Sequence, residues 1–339
     1  MIGENNPVFV IAEAGVNHNG SVAMAKKMVD SAKAAGADAI KFQSFRADQL
    51  VTYDAPKALY QQARSLGKNQ YEMLKQLELS EAEQKELFDH CRKRGILFLS
   101  TPFDGQSAEF LNRLGMPAFK ISSGDLTDLP LLLKIARMGK PMILSTGMAT
   151  LQEIDLAVKT VKKAGNKKLI LLHCTSNYPT EYLNVNLKAM QSMGKKFDLP
   201  VGLSDHTLGI EVPIAAVALG ACVIEKHFTL DISLPGPDQL ASLEPEELKQ
   251  MVSAIRNVEM ALGDGEKAPR KSEKQIALVA RKSIVAAAVL IKGTRISPDM
   301  LAVKRPGTGI EPKYLNKFIG KTVKKNILKD QLIDWNMFK

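Results

Sequence analysis

Cysteine and aromatic residues are scarce in this sequence, and each shortage argues against a class of protein. The three cysteines, Cys91, Cys174 and Cys222, lie far apart in apolar segments and form no CxxC pair. We therefore predict buried, reduced thiols and no disulfide framework. Only 6% of the residues are aromatic, and few of them stand among basic residues in the C-terminal part. That composition is not typical of a surface that stacks single-stranded nucleic acid.

Long apolar runs are also missing, although 45% of the residues are hydrophobic. No uncharged apolar stretch is long enough for a transmembrane helix. The opening residues, MIGENNPVFVIAEAG, show no basic region followed by a signal-peptide cleavage pattern, so we expect a cytoplasmic protein without a membrane partner. No GxGxxG motif follows the first predicted strand, which argues against an open sheet that binds a dinucleotide.

Positive charge is concentrated in the C-terminal part of the chain. Residues 267–339 contain 17 Lys and Arg against 5 Asp and Glu, although the net charge of the whole chain is +10. This asymmetry predicts two modules. We interpret residues 1–265 as the first domain, the polar stretch 266–280 as a linker and residues 281–339 as a small β-rich domain. A basic module of this kind favours an anionic partner or substrate.

Eight short apolar runs alternate with helical patterns along the first 265 residues. Such alternation predicts a parallel sheet, and the number of units and their size match a (β/α)8 TIM barrel. An open doubly wound sheet is the alternative. One predicted helix begins with Ser80, followed three residues later by Glu83, which is the pattern of a capping box.

Polar residues stand at the carboxyl end of every predicted strand, where a barrel builds its active site. Two of them, Lys41 and Lys120, interrupt apolar strands and are accompanied by hydroxyl-bearing, Gly-flanked turns. Lysines and hydroxyls in such turns predict a site for phosphate or carboxylate. Two others, His206 and His227, end neighbouring strands. Imidazoles suit first-row metals, but a histidine that ends a strand is often only a hydrogen-bonded structural residue.

The chain also carries a series of motifs in a fixed order: IAEAGVNHNG, DAIKFQSF, STPFD, KISSGD, LSTGM, LLHCTSNYPT, GLSDHTLG, EKHFTLD, PGPDQLASLEP, RKSIVA and KRPGTGI. Over essentially its whole length it resembles the sialic acid synthases and their legionaminic and pseudaminic relatives. The resemblance implies a TIM barrel followed by an antifreeze-like SAF domain. It also implies condensation of phosphoenolpyruvate, by cleavage of its C–O bond, with N-acetylmannosamine or a related 2-acetamido hexose. Water is consumed, and a nonulosonic acid and phosphate are formed.

The same resemblance implies a role for particular residues. His206 and His227 would bind a divalent metal, Mn²⁺ before Mg²⁺ or Co²⁺. The catalytic carboxylates would be Glu13, Glu225 and Asp238. The substrates would be bound by Lys41, Gln43, Thr101, Lys120, Ser123, Asp125, Ser145, Ser176, Tyr178 and Arg305. Arg305 would reach the N-acetyl group of the sugar from the partner subunit of a domain-swapped homodimer.

Two positions depart from the family pattern, and three other functions compete with the main interpretation. Asp125 stands where the family often has Glu, and Gln239 stands where many members have His. A legionaminic or pseudaminic acid synthase would act on a 2,4-diacetamido-trideoxy hexose. A pyruvate aldolase would form a Schiff base on Lys41 or Lys120 and need no metal. A non-catalytic protein that binds a polyanion through its basic module is the third competing function. Under the main interpretation, we expect no nucleic-acid partner.

Overall fold

The computed structural model of the chain describes residues 2–3, 6–62, 64–65 and 67–339. These residues form two compact units, Met1–Gly263 and Asp264–Lys339. Within the described ranges, no helix combines the length and the apolar character that crossing a membrane requires.

The first unit is built around a parallel sheet. Its strands, within the described residues, are β1 (Phe9–Gly15), β2 (Ala39–Ser44), β3 (Leu97–Pro102), β4 (Phe119–Ile121), β5 (Met142–Ser145), β6 (Leu169–Cys174), β7 (Val201–Asp205) and β8 (Val223–His227). They follow the order β3-β2-β1-β8-β7-β6-β5-β4. The two outermost strands, β3 and β4, also lie against each other, so the sheet closes. The predicted TIM barrel is confirmed.

Helices alternate with the strands on the outside of this sheet. They are α1 (Val22–Ala34), α2 (Ala47–Leu50), α3 (Leu59–Gln62), α4 (Gln70–Leu77), α5 (Glu81–Arg94), α6 (Gly105–Leu114), α7 (Leu129–Ala136), α8 (Leu151–Lys163), α9 (Lys188–Phe197), α10 (Glu211–Ala218) and α11 (Pro245–Leu262). The capping box predicted at Ser80 and Glu83 begins α5, and Gly95 ends that helix with a left-handed φ of 68°. Three of these helices, α2, α3 and α4, lie in the long segment between β2 and α5.

Strand residues are buried on both faces of the sheet because one face packs on the helices and the other fills the barrel interior. Side chains along a strand alternate between these faces. The register of β1 places Glu13 opposite Lys41 on one side and opposite His227 on the other. The closed sheet therefore brings residues that are distant in sequence to one rim.

The second unit has its own apolar core. It contains α12 (Lys271–Ala280) and the antiparallel pair β9 (Ser283–Ala286) and β10 (Leu301–Lys304). Ile284, Phe318, Val323 and Ile327 are buried in this core. Residues 266–280, which we predicted as a linker, contain α12, and none of its residues is buried. The helix forms because KSEKQIALVA consists mostly of good helix formers, a property that polarity alone does not reveal.

Candidate active site

Two lysines and two glutamates form a buried charge network at the carboxyl ends of the strands. The Nζ atom of Lys41 lies 2.8 Å from Oε2 of Glu13 and 3.8 Å from Oε2 of Glu225. The Nζ atom of Lys120 lies 3.4 Å from Oε1 of Glu225. All four side chains are at most 5% exposed. Glu225 thus stands between the two ammonium groups and holds both of them at the barrel rim.

Hydroxyl and amide groups complete this network. Lys41 donates to Oγ1 of Thr101 at 3.0 Å, and Lys120 donates to Oγ of Ser145 at 2.7 Å. The Glu225 carboxylate accepts from Ser204 Oγ at 2.9 Å. Gln43 Nε2 donates to Oε1 of Glu13 at 3.3 Å. These contacts hold each ammonium group in one position at the rim. An ammonium group held in this way suits the binding of a phosphate or a carboxylate.

The two carboxylates of the network differ in their affinity for protons. Burial, together with the negative charge of Glu225, raises the pKa of Glu13 to about 7 even though Lys41 opposes the shift. Burial also disfavours ionised Glu225, but Lys120 and Lys41 outweigh it and hold the pKa of Glu225 below its usual value. A carboxyl group that titrates near neutral pH beside one that stays ionised is the arrangement of an acid–base site.

A concave turn lined by hydroxyl groups adjoins Lys120 and Ser145. The backbone N–H of Gly147 donates to Oγ of Ser123 at 3.0 Å. A β-carbon at position 147 would lie 2.3 Å from Oγ of Ser176 and 2.9 Å from Oγ of Ser123. Only glycine leaves room here for both hydroxyls. Asp125, in the turn before α7, accepts from Ser122 Oγ at 2.5 Å, and burial raises the pKa of Asp125 to about 6.

The two imidazoles lie next to each other at the ends of β7 and β8. Their ring centroids are 5.3 Å apart, and the ring of Tyr178 lies 4.1 Å from that of His206 and 5.6 Å from that of His227. Tyr60, on α3, stacks on Tyr178 at 5.0 Å. Asp238 places Oδ2 at 3.8 Å from Nδ1 of His227. Aromatic rings and a carboxylate therefore surround the histidine pair.

The nitrogen atoms of these imidazoles fit a metal site. The Nδ1 atom of His206 lies 2.8 Å from the carbonyl oxygen of Thr175, so Nδ1 carries the proton and Nε2 keeps its lone pair. The Nδ1 atom of His227 is buried without a hydrogen-bond partner. The described residues contain no cluster of three or more His, Cys, Asp or Glu that could hold a metal. The two imidazoles are therefore the side chains that could serve as ligands if a metal bound here.

The proton affinities of the two rings differ. Burial, followed by the charge of His206, holds the pKa of His227 well below its usual value, so this ring is neutral, as a ligand must be. Burial also lowers the pKa of His206, but Cys174 and the Thr175 carbonyl outweigh it and raise that pKa. A metal at His206 would therefore compete with a proton.

Four residues of this site were missed by the sequence-based prediction. Ser204 belongs to the sequence SDH that ends at His206, so its position two residues before a predicted ligand could have indicated that it belongs to the site. Cys174 is a free, buried thiol, but its Sγ lies 3.7 Å from Nδ1 of His206. Tyr60 follows no pattern that points to the site, and Gly147 was noted only as part of a turn.

Arg305 was predicted to bind substrate, whereas Gln239 was noted only as a departure from the family pattern. Arg305 belongs to the second unit, where it is exposed directly after β10. Gln239, the second departure from the family pattern, is fully buried and donates through Nε2 to the carbonyl oxygen of Asn17 at 3.2 Å, while Thr229 donates to its Oε1. These bonds fix the loop that carries Asp238, so Gln239 has a packing role.

A closed parallel barrel with a buried charge network and an imidazole pair on the same rim is the architecture of a (β/α)8 enzyme. Comparison with known proteins is more specific. The NeuB family model matches residues 28–267, and the SAF domain model matches residues 281–339. The chain belongs to the NeuB family. It is an enzyme of the sialic acid synthase type, as the sequence resemblance predicted.

Individual relatives agree with this assignment. The chain is 50% identical over 338 residues to N,N'-diacetyllegionaminic acid synthase of Legionella pneumophila, covering 98% of this chain and 95% of the relative. It is 38% identical over 334 residues to N-acetylneuraminate-9-phosphate synthase of Mus musculus, covering 98% and 93%. The crystal structure of N-acetylneuraminic acid synthetase from Leptospira borgpetersenii, in complex with citrate, superposes with a TM-score of 0.72 at 39% identity. It covers 81% of this chain and 92% of that one.

Proposed function

We propose that the enzyme condenses phosphoenolpyruvate with an open-chain 2-acetamido hexose of the N-acetylmannosamine type and with water, releasing a nonulosonic acid and phosphate. The observation that carries the proposal is the placement of two different sites on one rim. The charge network and its hydroxyls suit an anion, and the adjacent imidazole pair suits the electrophilic partner. An aldolase that forms a Schiff base needs a lysine whose amine is free to attack the substrate. Both lysines here are instead paired with Glu225.

The phosphate and carboxylate of phosphoenolpyruvate would be held by Lys41, Lys120 and the hydroxyls around Gly147. Its methylene carbon would then form a bond to the aldehyde carbon of the sugar, while the aldehyde oxygen takes a proton from protonated Glu13 and becomes a hydroxyl. The positive charge that develops at the enol carbon is stabilised by the ionised Glu225. Water adds to that carbon, and the C–O bond to phosphate breaks. Glu13, whose pKa is about 7, is suited to accept the proton of that water.

His206 and His227 would hold a divalent metal, Mn²⁺ before Mg²⁺ or Co²⁺, with Asp238 and Tyr178 beside it. When bound, the metal supplies a Lewis acid for the aldehyde oxygen. The fit of the imidazole nitrogens described above supports this proposal. Arg305 would complete the sugar site from the SAF domain of the partner in a domain-swapped homodimer, a proposal that rests on the family resemblance and on the exposure of Arg305.

The acceptor sugar is tested with a panel of aldehydes. Because the chain is 50% identical to a diacetyllegionaminic acid synthase and 38% identical to an N-acetylneuraminate-9-phosphate synthase, we expect faster turnover with a 2,4-diacetamido-trideoxy hexose than with N-acetylmannosamine or its 6-phosphate. Phosphate release from phosphoenolpyruvate is measured with each sugar and without sugar. If no sugar in the panel caused release of phosphate, the proposed reaction would be refuted. A pyruvate aldolase would instead act on free pyruvate.

Replacing Gly147 by alanine is expected to weaken phosphoenolpyruvate binding about tenfold or more. The added methyl group would displace the hydroxyls of Ser176 and Ser123, and each lost hydrogen bond to a charged group costs roughly 1.5–3 kcal/mol. Calorimetry with phosphoenolpyruvate alone measures the effect. Gly124→Ala is the matched control, because its β-carbon would meet only Ser122 Oγ at an ordinary 3.6 Å. If Gly147→Ala bound phosphoenolpyruvate as tightly as Gly124→Ala and wild type do, the anion would have to bind elsewhere.

A further inference from the structure

Asp205 and Lys226 form a buried ion pair that the proposed reaction does not use. The Nζ atom of Lys226 lies 2.5 Å from Oδ2 of Asp205, and the two side chains are 0% and 2% exposed. They are register partners on β7 and β8. Because side chains alternate along a strand, this pair lies on the opposite side of the sheet from the neighbouring residues, His206 and His227. Each member of the ion pair is therefore the chain neighbour of one imidazole.

Both members of the pair make further hydrogen bonds to Thr207. Lys226 Nζ also donates to the carbonyl oxygen of Thr207. Oδ1 of Asp205 accepts from the backbone N–H of Thr207 at 3.2 Å, and Thr207 Oγ1 donates to both carboxylate oxygens at 3.0 and 2.9 Å. These bonds tie the end of β7, and the turn after it, to β8.

The ion pair lies at the end of the pairing between β7 and β8, next to the imidazoles. Pairing between β7 and β8 ends at Asp205 and Lys226. One residue later, each histidine is held by a different neighbour. The carbonyl oxygen of His206 accepts from the backbone N–H of Thr180 at 2.8 Å, and His227 pairs with Glu13 of β1. The ion pair thus stands at the last register position between β7 and β8, one residue before each imidazole.

Stability alone is a poor explanation for such a pair. Removing two charges from water costs much of what their attraction returns, and apolar residues of similar volume often serve as well. We propose that Asp205 and Lys226 are positioning residues that set the spacing and orientation of His206 and His227, and so the affinity of the site for a divalent cation. This inference rests on the proposed function, because it presupposes a metal at the two imidazoles.

The test removes both charges and measures metal binding without turnover. Asp205→Asn with Lys226→Met keeps an acceptor for Thr207 and leaves no unpaired buried charge. Free Mn²⁺ is followed by electron paramagnetic resonance as protein is titrated without substrate. We expect the Kd for Mn²⁺ to rise about tenfold or more, as is typical when residues supporting metal ligands are altered. The affinity for phosphoenolpyruvate should change less than twofold, since the charge network is on other side chains.

A second ion pair of the first unit gives the control. Arg256 Nη2 lies 3.0 Å from Oδ2 of Asp38, and Asp38 precedes β2, at the end of the barrel opposite the imidazoles. Asp38→Asn with Arg256→Met should lower the melting temperature and leave the Kd for Mn²⁺ unchanged. Thr207→Val is a milder variant that keeps the ion pair, removes one donor to Asp205 and should raise the Kd in the same direction.

The outcomes separate the two proposals. If wild-type protein does not bind Mn²⁺, or His206→Ala binds it as well as wild type does, the metal site of the proposed function is wrong. If wild type binds through His206 but the double variant, or Thr207→Val where the double variant does not fold, binds with the wild-type Kd, the positioning role is overturned. The pair would then serve only the fold.

Discussion

Replacement of His227 by alanine should reduce kcat/KM for condensation by roughly a thousandfold, and should leave the binding of phosphoenolpyruvate nearly unchanged. His227 contributes the buried nitrogen that has no hydrogen-bond partner, so its loss removes one of the two proposed metal ligands. A Lewis acid lowers the barrier by several kcal/mol, and roughly 4 kcal/mol corresponds to a thousandfold in rate. The charge network around Glu225 is not altered by this substitution, so the anion should still bind.

The measurement compares phosphate release and metal content, the latter by elemental analysis, in wild type, His227→Ala and a matched histidine variant. His90 serves as the control because its Nε2 lies 2.8 Å from Asp30 on the helices outside the barrel. His90→Ala should retain metal and activity. Full activity of a protein shown to be free of metal, or unimpaired turnover by His227→Ala, would rule out the metal-assisted reaction.

Mixing two inactive variants should restore activity, and this is the second large effect that we expect. His206→Ala removes an imidazole of the barrel, and Arg305→Ala removes a guanidinium of the SAF domain. In a domain-swapped homodimer, an exchanged heterodimer has both lesions in one site and none in the other. Activity should then recover to about half of the wild-type value per heterodimer, because independent sites add.

The controls for this experiment are the two variants alone, which should stay inactive after the same exchange procedure. Arg305→Ala should weaken use of the sugar more than binding of phosphoenolpyruvate, since Arg305 is proposed to reach the sugar's N-acetyl group through its planar donors. If the SAF domain instead completed the site of its own chain, every heterodimer would carry one lesion in each site. Absence of recovery would therefore exclude the swap.

The architecture of the barrel was predictable because its signal is local. Each strand is a short apolar run that ends in a polar residue, and the end of a parallel strand has a fixed place in this fold. Glu13, Lys41, Lys120 and Glu225 could be assigned to one rim for that reason. Closure of the sheet then brings each of the two lysines within 2.8 to 3.8 Å of a glutamate.

Other parts of the site depend on contacts that no local pattern encodes. The stacking of Tyr60 on Tyr178 joins residues 118 positions apart, and Tyr60 lies on a four-residue helix within a polar segment. The pairing of Lys226 with Asp205 likewise depends on the register of β7 against β8, which no local pattern gives. Burial of Cys91 and Cys174 was predicted correctly from their apolar context, but Cys222 is only partly buried. The contact of Cys174 with His206 depends on the pairing of β6 with β7.

The rim is divided between residues on the strands and residues on the segments that follow the strands. The charge network that suits the anion stands on β1, β2, β4 and β8, whereas Tyr60, Tyr178 and Asp238 beside the imidazoles stand outside the strands. Insertions and exchanges are tolerated better in loops than in the strands of a closed sheet. An ancestral enzyme could therefore diversify the part of the rim that we propose to meet the sugar without rebuilding the part that we propose to bind phosphoenolpyruvate. For protein engineering, grafting these loops between relatives is a more direct route to new nonulosonic acids than redesigning the barrel floor.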